Sequence, residues 1–381
     1  MTIAPITRLP PALLSATHGA GDGTEPAWAA GIDNLLTHCA GSSANQNLLV
    51  VVEPDETFYK GQLGQKLAHD ARQRGLNVQV VAAPLVTGPE KFPLDLLELI
   101  AQADHTVFFS RLGTMGRFLK FPGVGTKIVC YTLDPTSLAS SFATLPYAFL
   151  QAVHDALVRK ISASSSYRIT CANGTNLHAE LRKGITPDLP VLTPFTVRNF
   201  PLMVVPPISA QTLNGTLALS LALLSTATHN YPDPILPLNG PLLLSIEQGR
   251  ISGFGGETAQ AFRAQQHFDR VAQDVNGDPR CVNSWHTGFN PGTWFAGQAK
   301  DDLLRWGNVV FGSPRYTHFH MVGSDPGDIC GSLFDATISF DREVLWRDGQ
   351  LVFLHTEEGQ ALATEHGVSL ESIEASPSIG I

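Results

Sequence analysis

Along the first part of the chain, short apolar runs alternate with stretches of helical spacing. Asn47-Leu-Leu-Val-Val-Val-Glu53 is an apolar run of strand type, and Pro54-Asp55-Glu56-Thr57 breaks it. Helical spacing follows over 61–74, with Leu63, Leu67 and Ala71 on one face, and Gly75 closes it. Asn77-Val-Gln-Val-Val-Ala82 alternates and returns as a strand. This is one β-α-β unit, which favours a parallel sheet and a right-handed crossover. The pattern then predicts a helix over 94–103, strands over 105–109 and 126–131, and a helix over 149–159. An open, mostly parallel α/β domain is expected over residues 1–165.

The second half, 166–381, changes character. Residues 167–172 read as a strand ending at the turn signal Asn173-Gly174. Pro and Gly become frequent over 187–256. Pro241-Leu-Leu-Leu-Ser-Ile246, Glu247-Gln-Gly-Arg250 and Ile251 together predict a hairpin. Over 257–275 Ala261, Phe262, Phe268 and Val271 give the one long helical pattern of this half, and short strands are expected to return as far as Gln350-Leu-Val-Phe-Leu354. A β-rich α+β domain carrying one conspicuous helix is expected here, with no internal repeat.

Composition narrows the functional classes. The 381 residues are 43% hydrophobic and 15% charged, which supports well-buried cores over long disorder. The formal net charge is -9 and no Lys/Arg-rich run occurs, so neither nucleic acid nor an anionic membrane surface is an expected partner. Residues 1–26 lack a basic segment followed by an apolar one, and no stretch is long and apolar enough to span a bilayer. The five cysteines are scattered, without a CxxC spacing. Reduced thiols in a cytoplasmic protein are expected, and a clustered-thiol zinc site is not. No G-x-G-x-x-G follows Glu53 and no G-x-x-x-x-G-K occurs, so the α/β half carries no nucleotide signature.

Candidate chemistry lies in the second half. In Thr317-His318-Phe319-His320 the two imidazoles are two residues apart, which on a strand places them on one side, within reach of one metal ion. Imidazole suits iron, zinc, copper and nickel; two hydrogen-bonded histidines on one strand face are the alternative. His286 lies beside Trp285 and before a Gly- and Pro-rich turn, where it can either face a cleft or pack as a satisfied core residue. Gly253-Phe-Gly-Gly256-Glu257 makes a tight helix entry. Glu257 is expected to cap that helix, or else to complete a two-His, one-carboxylate site. Around Cys171-Ala-Asn-Gly, the residues Thr175, Asn176 and His178 can bind a polar ligand or simply form a turn. No G-x-S-x-G occurs, and covalent catalysis has little support.

The order of these motifs resembles the superfamily of thermophilic-type leucyl aminopeptidases, and within it the 2,5-dihydroxypyridine 5,6-dioxygenases, ring-cleaving iron enzymes of nicotinate breakdown. The segments that carry the resemblance are Gly174-Thr175-Asn176-Leu177, Gly255-Gly256-Glu257, Asn276-Gly-Asp278-Pro279, 284–291, Gly307-Asn-Val-Val-Phe311 and His318-Phe319-His320, chiefly within 166–325. Two positions depart from it. The dioxygenases have His-x-Asp where this chain has His320, and their other histidine falls at Ser284, with His286 two residues later on the same strand face.

The resemblance therefore implies a mononuclear non-haem Fe(II) dioxygenase with His286, His318 and His320 as ligands, acting with O2 on a hydroxylated N-heterocycle or related small aromatic. It also implies Glu257 and His178 as catalytic groups and Thr175, Asn176, Ser284 and Trp285 as substrate contacts, with Arg198 and Arg111 as candidate partners of an anionic substrate. A zinc or manganese aminopeptidase or other hydrolase is the rival, although Ser284 and His320 stand where the aminopeptidases have acidic ligands. A non-catalytic small-molecule binder is a third reading. Self-association into a homo-oligomer is left open.

Overall fold

The computed structural model describes residues 6–9, 24–181, 191–323, 326–374 and 378–381. The fold is mixed α/β, and the described residues form three sheets. The first has the strand order Thr7–Leu9, Asn77–Ala82, Asn47–Val52, His105–Phe109, Thr126–Cys130, Arg198–Phe200. All its pairings are parallel except that of the Thr7–Leu9 edge strand. Val50, Val51, Val107, Phe108, Ile128 and Val129 are fully buried, as expected for a sheet covered on both faces. Helices Leu63–Gln73, Leu94–Gln102 and Tyr147–Ala163 sit close to the predicted spans. The sixth strand, Arg198–Phe200, comes from beyond residue 165 and pairs with Thr126–Cys130, so the chain returns to the first sheet after entering the second half.

The second half forms two antiparallel sheets. One is ordered Arg250–Gly255, Leu242–Glu247, Asn214–Leu219, Asn176–Glu180, Ser166–Thr170, Thr337–Phe340, Glu343–Trp346. The other is ordered Leu236–Pro237, Ala222–Ser225, Ile329–Phe334, Tyr316–Met321, Val282–Thr287, Ile208–Ser209. The expected 241–251 hairpin is present, and helix Thr258–Val275 matches the long helical pattern. Helices Leu303–Val310 and Glu357–Glu365 are additional to it.

The strand expected at the end of the chain is instead a short helical turn, Val352–His355. Consecutive residues Phe353 and Leu354 are both buried there, which one face of a strand cannot achieve and a helical turn can. No helix among the described residues is long and apolar enough to cross a membrane.

The two faces of the third sheet do different work. Trp285 and Phe319 lie on the face that meets the neighbouring sheet, where Trp285 packs on Tyr167, Phe319 and Phe340. Alternation then sends Ser284, His286, His318 and His320 to the opposite face, and residues that follow strands of the first sheet share a cavity with the three histidines.

Candidate metal centre

Strands Val282–Thr287 and Tyr316–Met321 run antiparallel, with His286 directly opposite His318 and Ser284 opposite His320. Cross-strand partners share a face, so these four side chains form one square patch. The three histidines are 2–4% exposed. Each offers a ring nitrogen, and these atoms all lie within 4.8 Å of one another. The ring centroids are 4.7–5.0 Å apart. Among the described residues this is the one group of three or more His, Cys, Asp or Glu side chains able to share an ion, and it contains no carboxylate.

Burial keeps all three imidazoles neutral. It drives His286 down to about 3, against the opposing pull of its hydrogen bond to the Val205 carbonyl. Burial is also the main cause for His318 and His320, which are held well below the ordinary imidazole value. Arg117 adds a repulsive charge to all three. Neutral imidazole is the form that binds metal. His286 Nδ1 donates to Val205 O at 2.9 Å, which leaves the Nε2 lone pair for an ion and fixes the ring. His318 Nδ1 and His320 Nδ1 are buried with no hydrogen-bond partner, a cost that an ion would remove if it were coordinated through those nitrogens. The residues therefore fit a single transition-metal ion. Phe195 stacks on His286 and Phe311 on His318, at centroid distances of 5.9 and 4.5 Å, and these rings limit water access.

The imidazoles open onto a cavity of about 30 Å³, whose far wall is built by the first sheet and the segments that follow its strands: Thr114, Arg117, Tyr131 and Asn199. Thr114, Arg117 and Tyr131 lie just beyond the carboxyl ends of the parallel strands His105–Phe109 and Thr126–Cys130, the usual ligand position in such sheets. Thr114, Thr226 and Phe311 also line a second cavity of about 90 Å³. There His229 Nδ1 meets Asp328 Oδ1 at 2.8 Å. The hydrogen bond to Asp328 raises the His229 pKa, with desolvation opposing it.

Of the other sequence candidates, Ser284 lies beside the imidazoles and Arg111 lines the second cavity; the rest lie elsewhere. Glu257 caps helix Thr258–Val275, accepting from the Ala259 and Gln260 amides at 2.9 and 2.7 Å, and these bonds lower its pKa. Gly256 before it has φ +99, and a Cβ there would fall 2.7 Å from Pro241 O, which accounts for the glycine at that entry. Thr175 is buried and accepts from the Ala218 amide at 2.9 Å. Asn176 and His178 are exposed on the second sheet, and Asn176 Oδ1 accepts from Arg168. None of these four lines the cavity of the imidazoles.

Ser284 is beside the imidazoles, its hydroxyl 3.5 Å from Pro326 O, whereas Trp285 faces away. Arg111 is taken up by a bidentate pair with Glu53, at 2.9 and 2.7 Å. Arg198 is exposed and donates to Cys39 O. Arg117, Tyr131, Asn199, His229 and Asp328 had no signal in the sequence, because each is an isolated residue brought in by tertiary folding.

No protein-family model matches this sequence, and no curated protein matches it. Solved structures share the fold. The chain is similar to 2,5-dihydroxypyridine dioxygenase from Pseudomonas putida KT2440, at TM-score 0.61 and 16% identity over 89% of this chain and 100% of that one. It is also similar to AmpT, a peptidase, from Thermus thermophilus, at TM-score 0.51 and 11% identity over 87% of this chain and 100% of that one. At these identities the likeness is one of fold, shared with enzymes of two classes.

Proposed function

We propose that this chain is a mononuclear non-haem iron enzyme, a ring-cleaving dioxygenase acting on a hydroxylated N-heterocycle or related small aromatic. The observation that carries this reading is the buried group of three neutral imidazoles with no carboxylate beside it. Three imidazoles suit one transition-metal ion with open positions, whereas two-metal hydrolases clamp the reacting oxygens between paired ions, which acidic bridging ligands would have to hold. The fold is shared with a dioxygenase and with a peptidase, so the choice between the two rests on this donor set.

His286, His318 and His320 would hold the ion, which when bound would supply redox chemistry towards O2 and Lewis acidity towards a substrate hydroxyl. The chain's own residues do the rest. Val205 fixes the His286 tautomer, and Phe195 and Phe311 hold the imidazoles and exclude water. In the adjoining cavity His229, backed by Asp328, is placed to hold a proton at its ring and pass it to or from substrate.

The test is oxygen uptake by the iron-loaded chain, with a panel of hydroxypyridines and catechols. Uptake that is absent from the zinc-loaded chain and from His318→Ala supports the reading. Amide-bond hydrolysis by the zinc or manganese form, without oxygen uptake, would transfer the site to the hydrolase class.

A further inference from the structure

The wall facing the imidazoles carries a positive charge that no carboxylate among the described residues pairs with at contact distance. Arg117 is 5% exposed. Its guanidinium donates to Thr114 O at 2.6 Å and to Thr228 Oγ1 at 3.1 Å, both neutral acceptors. Among the described residues no carboxylate forms an ion pair with it. Asp328 acts on it only through space and already carries His229. An arginine stays protonated even when burial disfavours its charge, and a buried charge without a counterion is costly. The three imidazoles opposite carry no negative charge in either protonation state, and a metal cation there would add to the imbalance. Asn199 Oδ1, on the same wall, is buried without a hydrogen-bond partner.

We infer that this cavity receives the carboxylate of a small organic acid, with Arg117 as its counterion. The planar fork of a guanidinium matches a carboxylate. The cavity's volume of about 30 Å³ holds roughly two water-sized groups, enough for a carboxylate but not for a ring. The body of the acid extends past Thr226 and Phe311 into the adjoining 90 Å³ cavity, whose walls include Phe58, Leu85, Leu224 and Leu304 beside His229 and Arg111, the latter already paired with Glu53. Asn199 Oδ1 accepts from a donor next to the carboxylate. The substrate class thus narrows to anionic, carboxylate-bearing molecules with an apolar or aromatic body. The inference rests on the metal-enzyme reading for the reaction, but not for the binding.

The experiment is calorimetric titration of the full chain, metal-free and iron-loaded, with benzoate and its neutral isostere benzamide. Wild type is expected to bind benzoate at least tenfold more tightly than benzamide in both forms. Arg117→Met should abolish that preference and Arg117→Lys should retain part of it, a change that a purely structural arginine would not produce. Equal binding of the two probes by wild type overturns the inference without any variant, as does an undiminished preference in folded Arg117→Met. An Arg117-dependent preference in a chain that takes up no metal would leave this site standing and sink the enzyme reading. One ion per chain without a benzoate preference would sink this site alone.

Discussion

Three imidazoles buried without charge make the metal-free chain sensitive to acid. Burial lowers the folded-state pKa of His286, His318 and His320 below the value near 6.5 that each regains on unfolding. Below that pH the unfolded chain binds protons that the folded chain does not, so stability present above about pH 6.5 is lost as pH falls towards the folded values. Each such proton is worth about 1.4 kcal/mol per pH unit, and three of them give a slope approaching about 4 kcal/mol per pH unit. His267, lowered to about 4 mainly by burial, acts in the same direction. Against the roughly 5–15 kcal/mol that holds a typical domain, one or two pH units should bring the chelated chain to the edge of unfolding. The assay is urea denaturation in chelator between pH 7.5 and 5. His320→Leu should lower the slope by about 1.4 kcal/mol per pH unit, the share of one proton. A flat profile, or a slope unchanged in His320→Leu, would refute the claim that these imidazoles are buried and neutral.

Further outcomes are expected at the residues around the centre. Glu53→Gln removes one partner of a pair in which the Glu53 side chain is 2% and the Arg111 side chain 24% exposed; with a discount for that exposure the loss is about 2 kcal/mol in urea denaturation. Glu257→Ala should lower the melting temperature through the lost helix cap while leaving metal content unchanged, whereas loss of metal would make Glu257 a ligand. Because Asp328 raises the His229 pKa, their pairing stabilises the fold below the unfolded imidazole pKa and loses that contribution as pH rises through the folded value. Asp328→Asn should therefore bring the His229 titration, followed by proton NMR, down towards 6.5. An unshifted titration in that variant would mean that Asp328 does not set it.

Much of the first sheet was legible because a parallel sheet buried on both faces forces whole runs such as Leu48 to Val52 to be apolar, and the helices between them keep a clear period. At the candidate site, His318 and His320 were legible from strand alternation alone. The placing of His286 opposite His318 needed the register of two strands about thirty residues apart, which no local pattern encodes. Glu257, Thr175 and Asn176 are polar groups beside glycine-rich turns. Caps and turns need the same residue types as ligand sites do, so composition could not separate the two uses. Arg117 and Asn199 reach the site only because the first sheet ends against the third, and the chain returns through Arg198–Phe200 to build that wall.

The central claim is that the three histidines form a metal centre, and metal content tests it most directly. The chain would be purified without oxygen, loaded with Fe(II), desalted and analysed for bound metals alongside His286→Ala and His318→Ala variants of unchanged circular dichroism. About one ion per wild-type chain, lost from both variants, is the predicted result for a site with three protein donors. Retention of the ion in both variants, or close to two ions per chain, would contradict it.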